Sequence, residues 1–169
     1  MTTYYTLDRT GQCAPGLTFT PTIIDLPLTG SEPVSIGVSR HGARYAPASM
    51  MQIDTVLEAV FELVRTIHFP HKPSRFNCAF ACESLENLSL CASSMARTNI
   101  NNIYSIEYEG AVHRGDMALL RLDGNIYEIQ MRAMAYWMGN TMDLYPGYVP
   151  KWEILLPLPV TIGELVQQP

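Results

Sequence analysis

Residues 50–69, MMQIDTVLEAVFELVRTIHF, constrain the fold more than any other stretch of this chain. Met50, Ile53, Leu57, Val60, Phe61, Val64 and Ile67 recur at three- and four-residue spacing, the period of an amphipathic helix. Pro70 and Pro73 end it, because proline cannot donate to the helical ladder. A helix with so broad an apolar stripe must bury it against a second layer.

That layer is expected to be a sheet, since most of the remaining chain reads as short extended segments. Residues 3–9 (TYYTLDR) are aromatic and β-branched enough for a first strand, closed by turn residues from Gly11 to Gly16. Residues 17–36 alternate threonines with apolar residues between Pro21, Pro27, Gly30 and Pro33, the mark of extended loop with one short strand. VSIGVS is a candidate for another. RFNCAFAC (75–82) suits a short buried strand, and Ser84 is the expected N-cap of a second helix running to about Arg97. Asn101 and Asn102 turn the chain into the strand IYSIEYEG. HRGDMALLRLDGNIYEI stays open: Asp123-Gly124-Asn125 is either a hairpin turn or the start of a helix carrying YEIQMRAMAYWMG. WEILLPLPVTI reads as a closing strand whose prolines place it at a sheet edge or break it in two. The expected fold class is α+β: a mixed, mostly antiparallel sheet of about six strands with two or three helices, in one globular domain spanning 1–169.

Composition removes several function classes. With 47% hydrophobic and 16% charged residues, 169 residues can bury a core without disulfide or metal staples, which excludes a disordered tail. A net charge of −5 with no run of either sign argues against nucleic acid as a partner. No apolar run reaches the length of a membrane span, and the N-terminus lacks the basic and apolar regions of a signal peptide. Cys13, Cys78, Cys82 and Cys91 form no CxxC pair, so the expected compartment is a reduced cytoplasm. His68, His71, Cys78 and Cys82 make H-x2-H-x6-C-x3-C, which is not the spacing of a zinc knuckle, and no metal is expected.

Chemistry first suggests itself at SRHGARYAP (39–47). Arg40, His41, Gly42 and Arg44 spell RHGxR and locally resemble the signature of histidine phosphatases, where a histidine attacks phosphorus and arginines hold the oxygens. SSMART (93–98) is similar to a serine-and-arginine segment of such enzymes. The same chemistry needs a second histidine from a later strand, and only His113 follows, sixteen residues beyond Arg97. A phosphatase is therefore the third reading, and RHGAR is taken as a loop suited to hold an anion.

The wider pattern lies in the order of the segments. An aromatic strand (Tyr4-Tyr5-Thr6), a glycine turn and an amphipathic helix precede Phe80-Ala81-Cys82-Glu83-Ser84, then Ile103-Tyr104-Ser105-Ile106-Glu107, with Asp116 beyond. Over about two thirds of the chain this resembles small ADP-ribosyltransferase-like domains, particularly the rifampin ADP-ribosyltransferase type and related bacterial and phage families. The resemblance implies NAD as a substrate and a cytoplasmic bacterial or phage effector acting on a host or cellular protein or a small molecule. Breaking the nicotinamide–ribose bond passes through an oxocarbenium-like state, which a carboxylate stabilises. Asp116 is the first candidate for that carboxylate and Glu109 the second. Tyr5 and Phe80 are candidates to stack on nicotinamide, and Arg40, His41, Arg44 and Arg75 to hold the diphosphate. Tyr5 and Thr6 stand where the family carries a histidine or arginine. A second reading is therefore the same fold without catalysis, binding or inhibiting a host protein, with loops 10–50 and the Met/Trp segment around Trp137 as contacts.

Overall fold

The computed structural model describes residues 1–95 and 102–166. Strands β1 (Thr2–Leu7), β2 (Thr18–Phe19), β3 (Thr22–Leu26) and β4 (Val34–Val38) lead into helices α1 (Arg40–Tyr45) and α2 (Ile53–His68). Next come β5 (Cys78–Ala81), α3 (Leu85–Ala92), β6 (Ile103–Tyr108), β7 (His113–Asp116) and α4 (Ile126–Met138). The chain closes with β8 (Trp152–Pro157), β9 (Val160–Thr161) and β10 (Leu165–Val166).

The protein is α+β, with its strands divided rather than gathered into one sheet. Two three-stranded antiparallel sheets, ordered β1-β6-β10 and β5-β8-β7, form the body. A single antiparallel bridge between Tyr5 and Cys82 joins them, with both backbone hydrogen bonds made. Two short ribbons, β2-β9 and β3-β4, lie outside this pair. The threonine- and proline-rich region 17–36 thus holds more strand than its composition suggests.

Side-chain alternation along β8 explains the layering. Leu155 enters a core with Phe61 and Val64 of α2 and Ala133, Tyr136 and Trp137 of α4. Ile154 and Leu156 point the other way, into a second core with Tyr4, Tyr104 and Ile106 of the facing sheet. A strand buried on both faces reads as a continuous apolar run, which is why EILLP lacks a polar alternation. It is the central strand of its sheet, not an edge: the prolines act only at its end and beyond, where they separate β8 from β9. A third cluster, Cys82, Leu88, Cys91 and Ile103, sits under α3.

Ser84 caps α3 by accepting from Asn87 N, as expected, while the helix stops at Ala92 and Arg97 lies outside the described residues. Asp123-Gly124-Asn125 opens α4: Asn125 and Glu128 form a reciprocal capping box, and Gly139, at φ +77°, ends the helix in the left-handed conformation. In α2 the buried positions are Thr55, Glu58, Phe61 and Val64, whereas Ile53 and Ile67 are exposed. The apolar stripe was legible, but its buried edge contains a glutamate.

Candidate functional site

That glutamate belongs to a buried cluster of charges. The site is built outward from Ser39, which follows β4 and caps α1 by accepting from Gly42 N at 3.2 Å. Ser39 N donates to Phe76 O at 2.7 Å, tying the start of α1 to the 3-10 turn Arg75–Asn77. Gly42 completes the approach, because a Cβ there would lie 2.2 Å from Phe76 O. The glycine of RHGAR is required by this backbone contact.

Held this way, His41 lies among three aromatic rings: Tyr45 at 4.8 Å, Phe80 at 4.9 Å and Phe76 at 6.3 Å between centroids. Its Nε2 is buried and 3.1 Å from Glu58 Oε1, in contact but off the line of a hydrogen bond; the side chain as a whole is 22% exposed. Behind Glu58 stands Arg75, 4% exposed. Arg75 donates from Nε and Nη2 to Glu58 at 2.9 and 3.1 Å. Its Nη1 donates to Glu153 at 2.5 Å and to the Tyr136 hydroxyl at 2.7 Å, and that hydroxyl donates to Glu153 at 2.8 Å. The guanidinium also lies over Phe80, 4.9 Å from its centroid.

Five elements therefore meet at one guanidinium: α2, the 3-10 turn that carries it, β5, α4 and β8, with α1 joined through His41 and Glu58. Glu153 reaches it because it shares the face of β8 that Leu155 uses. Tyr136 reaches it because Gly115 of β7 has no side chain; a Cβ there would come within 2.4 Å of the ring. Burial disfavours the charged form of Glu58, but Arg75 and His41 outweigh it and the carboxyl titrates at about 2. Burial likewise opposes charge on Arg75, and Glu153, Tyr136 and Glu58 reverse it, so its pKa lies well above the usual value. The Tyr136 hydroxyl is pushed up, first by burial and then by Glu153, against the pull of Arg75. Two carboxylates face one guanidinium, and the network approaches solvent at His41.

The residues proposed from sequence distribute unevenly over this arrangement. His41, Arg75 and Phe80 come together. Arg75 is corrected as a diphosphate holder, because burial and its bonds to Glu58, Glu153 and Tyr136 occupy it. Arg40 and Arg44 flank His41 on α1 and are exposed; Arg40 Nη1 donates to Thr10 at 3.2 Å, and Arg44 lies over Tyr45. Tyr5 is half-buried against the cluster under α3, so its ring is a packing element there.

Asp116 is corrected as a catalytic carboxylate. It is fully buried and caps the 3-10 turn Met117–Leu119. Oδ1 accepts from Ala118 N at 3.1 Å and Lys151 N at 2.9 Å, and Oδ2 accepts from Thr141 Oγ1 at 2.5 Å and from the Tyr148 hydroxyl. No oxygen is left for a ligand. Burial and Asp116 together push the Tyr148 hydroxyl up. Glu109 lies beyond β6, with its side chain 80% exposed and 4.0 Å from the Met1 amino group, and takes no part in the network.

His113 does not join His41. It is 1% exposed and stacks on Trp137 at 4.9 Å; burial drives its pKa down to about 4, so it is neutral. The two-histidine pocket of a phosphatase is not formed. Cys78 and Cys82 enter separate core clusters, and burial raises the Cys78 thiol to about 12.

Sequence reasoning missed Glu58, Tyr136 and Glu153. Two of them carried a signal: Glu58 lies three residues before Phe61 within the apolar stripe, and Glu153 directly precedes the buried run Ile154–Leu156. A charged residue in line with core positions is paired or costly.

These features define an α+β protein with an ionic network buried between a helical layer and a split sheet. The chain belongs to a family described as protein of unknown function (DUF2441), whose model matches residues 36–168. The matched range contains every member of the network and leaves out β1 with Tyr5. No curated protein matches the chain. Among the described residues, no helix is long and apolar enough to cross a membrane.

Proposed function

We propose that the protein is an ADP-ribosyltransferase-like effector that takes NAD against His41 and the rings packed around it, Tyr45, Phe76 and Phe80. One observation carries this reading: two buried carboxylates, Glu58 and Glu153, stand against a single guanidinium, with His41 at the exposed end. Negative charge fixed behind these rings favours positive charge that develops in front of them. The oxocarbenium-like state of nicotinamide departure is such a charge. Aromatic rings suit the nicotinamide or adenine, and the exposed Arg40 and Arg44 suit the diphosphate. Glu58 replaces Asp116 and Glu109 as the carboxylate of the site. The setting is cytoplasmic, and the acceptor is a protein or a small molecule.

Incubation with NAD carrying a labelled adenylate, together with a cell lysate, tests this directly. Label transfer or nicotinamide release that falls about tenfold or more in Glu58→Gln supports it. No transfer, no nicotinamide release and no change of Tm with NAD would sink it.

A second reading, a non-catalytic binder of a cellular protein on the same fold, draws on the burial of Asp116 and on Thr6, whose hydroxyl donates to Phe80 O at 2.8 Å. Both groups are turned inward to hold structure. No label transfer together with no change of Tm with NAD would favour this binder reading.

A further inference from the structure

We propose that His41 is the base that deprotonates the acceptor, and that Glu58 is the positioning residue that holds its ring with Nε2 inward; this rests on the NAD reading above. Nε2 is buried, 3.1 Å from Glu58 Oε1, and an anionic carboxylate at that distance favours a proton on the nitrogen facing it. Neutral imidazole carries one proton, so the lone pair is left on Nδ1.

Packing and backbone contacts fix the ring in place. Tyr45 of α1 and Phe76 and Phe80 of the following segment pack around it, and the Ser39 cap and the Gly42–Phe76 approach hold its backbone. The charged groups facing it are Glu58 from α2, with Arg75 behind that carboxylate and Glu153 and Tyr136 beyond Arg75. Arg40 and Arg44 flank it on its own helix. Arg75 takes no proton from the site, being held charged by its two carboxylates. Its part is to keep Glu58 anionic and immobile, and Glu58 in turn compensates the imidazolium that forms.

The step balances without a further reactant. A lone pair on the acceptor oxygen or nitrogen forms the bond to C1′ of the ribose. The C1′–N bond to nicotinamide breaks, and its electron pair leaves with nicotinamide, which departs neutral. The acceptor proton moves to Nδ1 of His41 and then to water. Water itself can be the acceptor, which gives nicotinamide release without an identified partner molecule.

Two measurements test the proposal separately from the NAD reading. Nitrogen-15 NMR of the histidine rings in the full chain reports which nitrogen is unprotonated at neutral pH. The expected result is Nδ1, with Glu58→Gln producing a mixture of tautomers; a lone pair on Nε2, or no response to Glu58→Gln, overturns the proposal. Kinetics of nicotinamide release from NAD give the second measurement. His41→Gln should lower kcat by about 100-fold or more with little change in KM. Glu58→Gln should lower kcat by about tenfold or more through the same group, again at nearly constant KM. A wild-type chain that releases no nicotinamide overturns the NAD reading and the step with it, and the NMR result then decides the His41–Glu58 pairing alone. An active wild type matched in kcat by His41→Gln overturns the base alone. Tm of both variants, compared with the wild type, excludes unfolding as the cause of a lost rate.

Discussion

Glu58 and Asp116 are both buried acids, yet their surroundings have made them into different things. Asp116 is enclosed by neutral donors, two backbone amides and two hydroxyls, that clasp residues 141–151 to the end of β7. Glu58 is bound to a guanidinium that a second carboxylate shares, and its remaining side faces a partly exposed histidine. The first arrangement is closed and holds a loop. The second keeps an excess of negative charge with one outlet. Burial by itself does not make a carboxylate catalytic; the partners and the outlet decide.

The largest expected effect tests the closed side of the charged network. Arg75→Met leaves Glu58 and Glu153 buried without their counter-ion and should cost about 3–5 kcal/mol in denaturant unfolding. A change near zero would mean that the carboxylates do not depend on Arg75. Asp116→Ala leaves four donors without an acceptor and should cost about 3 kcal/mol. It should also speed proteolysis within 139–151. The nicotinamide-release rate per folded molecule should stay at the wild-type value; its loss would restore Asp116 as a catalytic group and erase its contrast with Glu58.

Acidification separates the two regions further. His113, at the start of β7, has a folded-state pKa depressed to about 4 from 6.5, so the unfolded chain takes up the proton first as pH falls. Stability should drop by about 3 kcal/mol between pH 6.5 and 4, and His113→Gln should flatten that limb of the unfolding profile. Glu58, depressed from 4.5 to about 2, adds a separate loss of about 3 kcal/mol as pH falls through that lower window, absent in Glu58→Gln. The smallest effect is a control outside both regions. Asn125→Ala removes the cap of α4 and should cost about 1 kcal/mol with no change in nicotinamide release.

Local signals carried much of the fold. The stripe of α2, the Ser84 cap, the IYSIEYEG strand and the first strand could be read because propensity, capping and periodicity act within a few residues. The prolines after β8 were read too, but their effect on its place in the sheet was not, since order in a sheet depends on partners distant in the chain. The site was legible in part. His41, Arg75 and Phe80 were chosen for their chemistry and do meet. Asp116 was chosen for the same reason and proves to be a clasp, because Thr141, Tyr148 and Lys151 come from 25 to 35 residues away.

The sequence by itself determined the class of the fold, the long amphipathic helix and the Ser84 cap. It did so because steric and hydrogen-bonding preferences of neighbouring residues are local quantities. Only the tertiary structure decided which acid is charged and open and which is closed. That choice rests on sequence separations of 17 from Glu58 to Arg75 and 78 from Arg75 to Glu153, spans across which no local preference acts. SRHGARYAP shows both halves: its serine is explained by the helix it caps, its glycine by the Phe76 carbonyl and its histidine by a glutamate from the next helix.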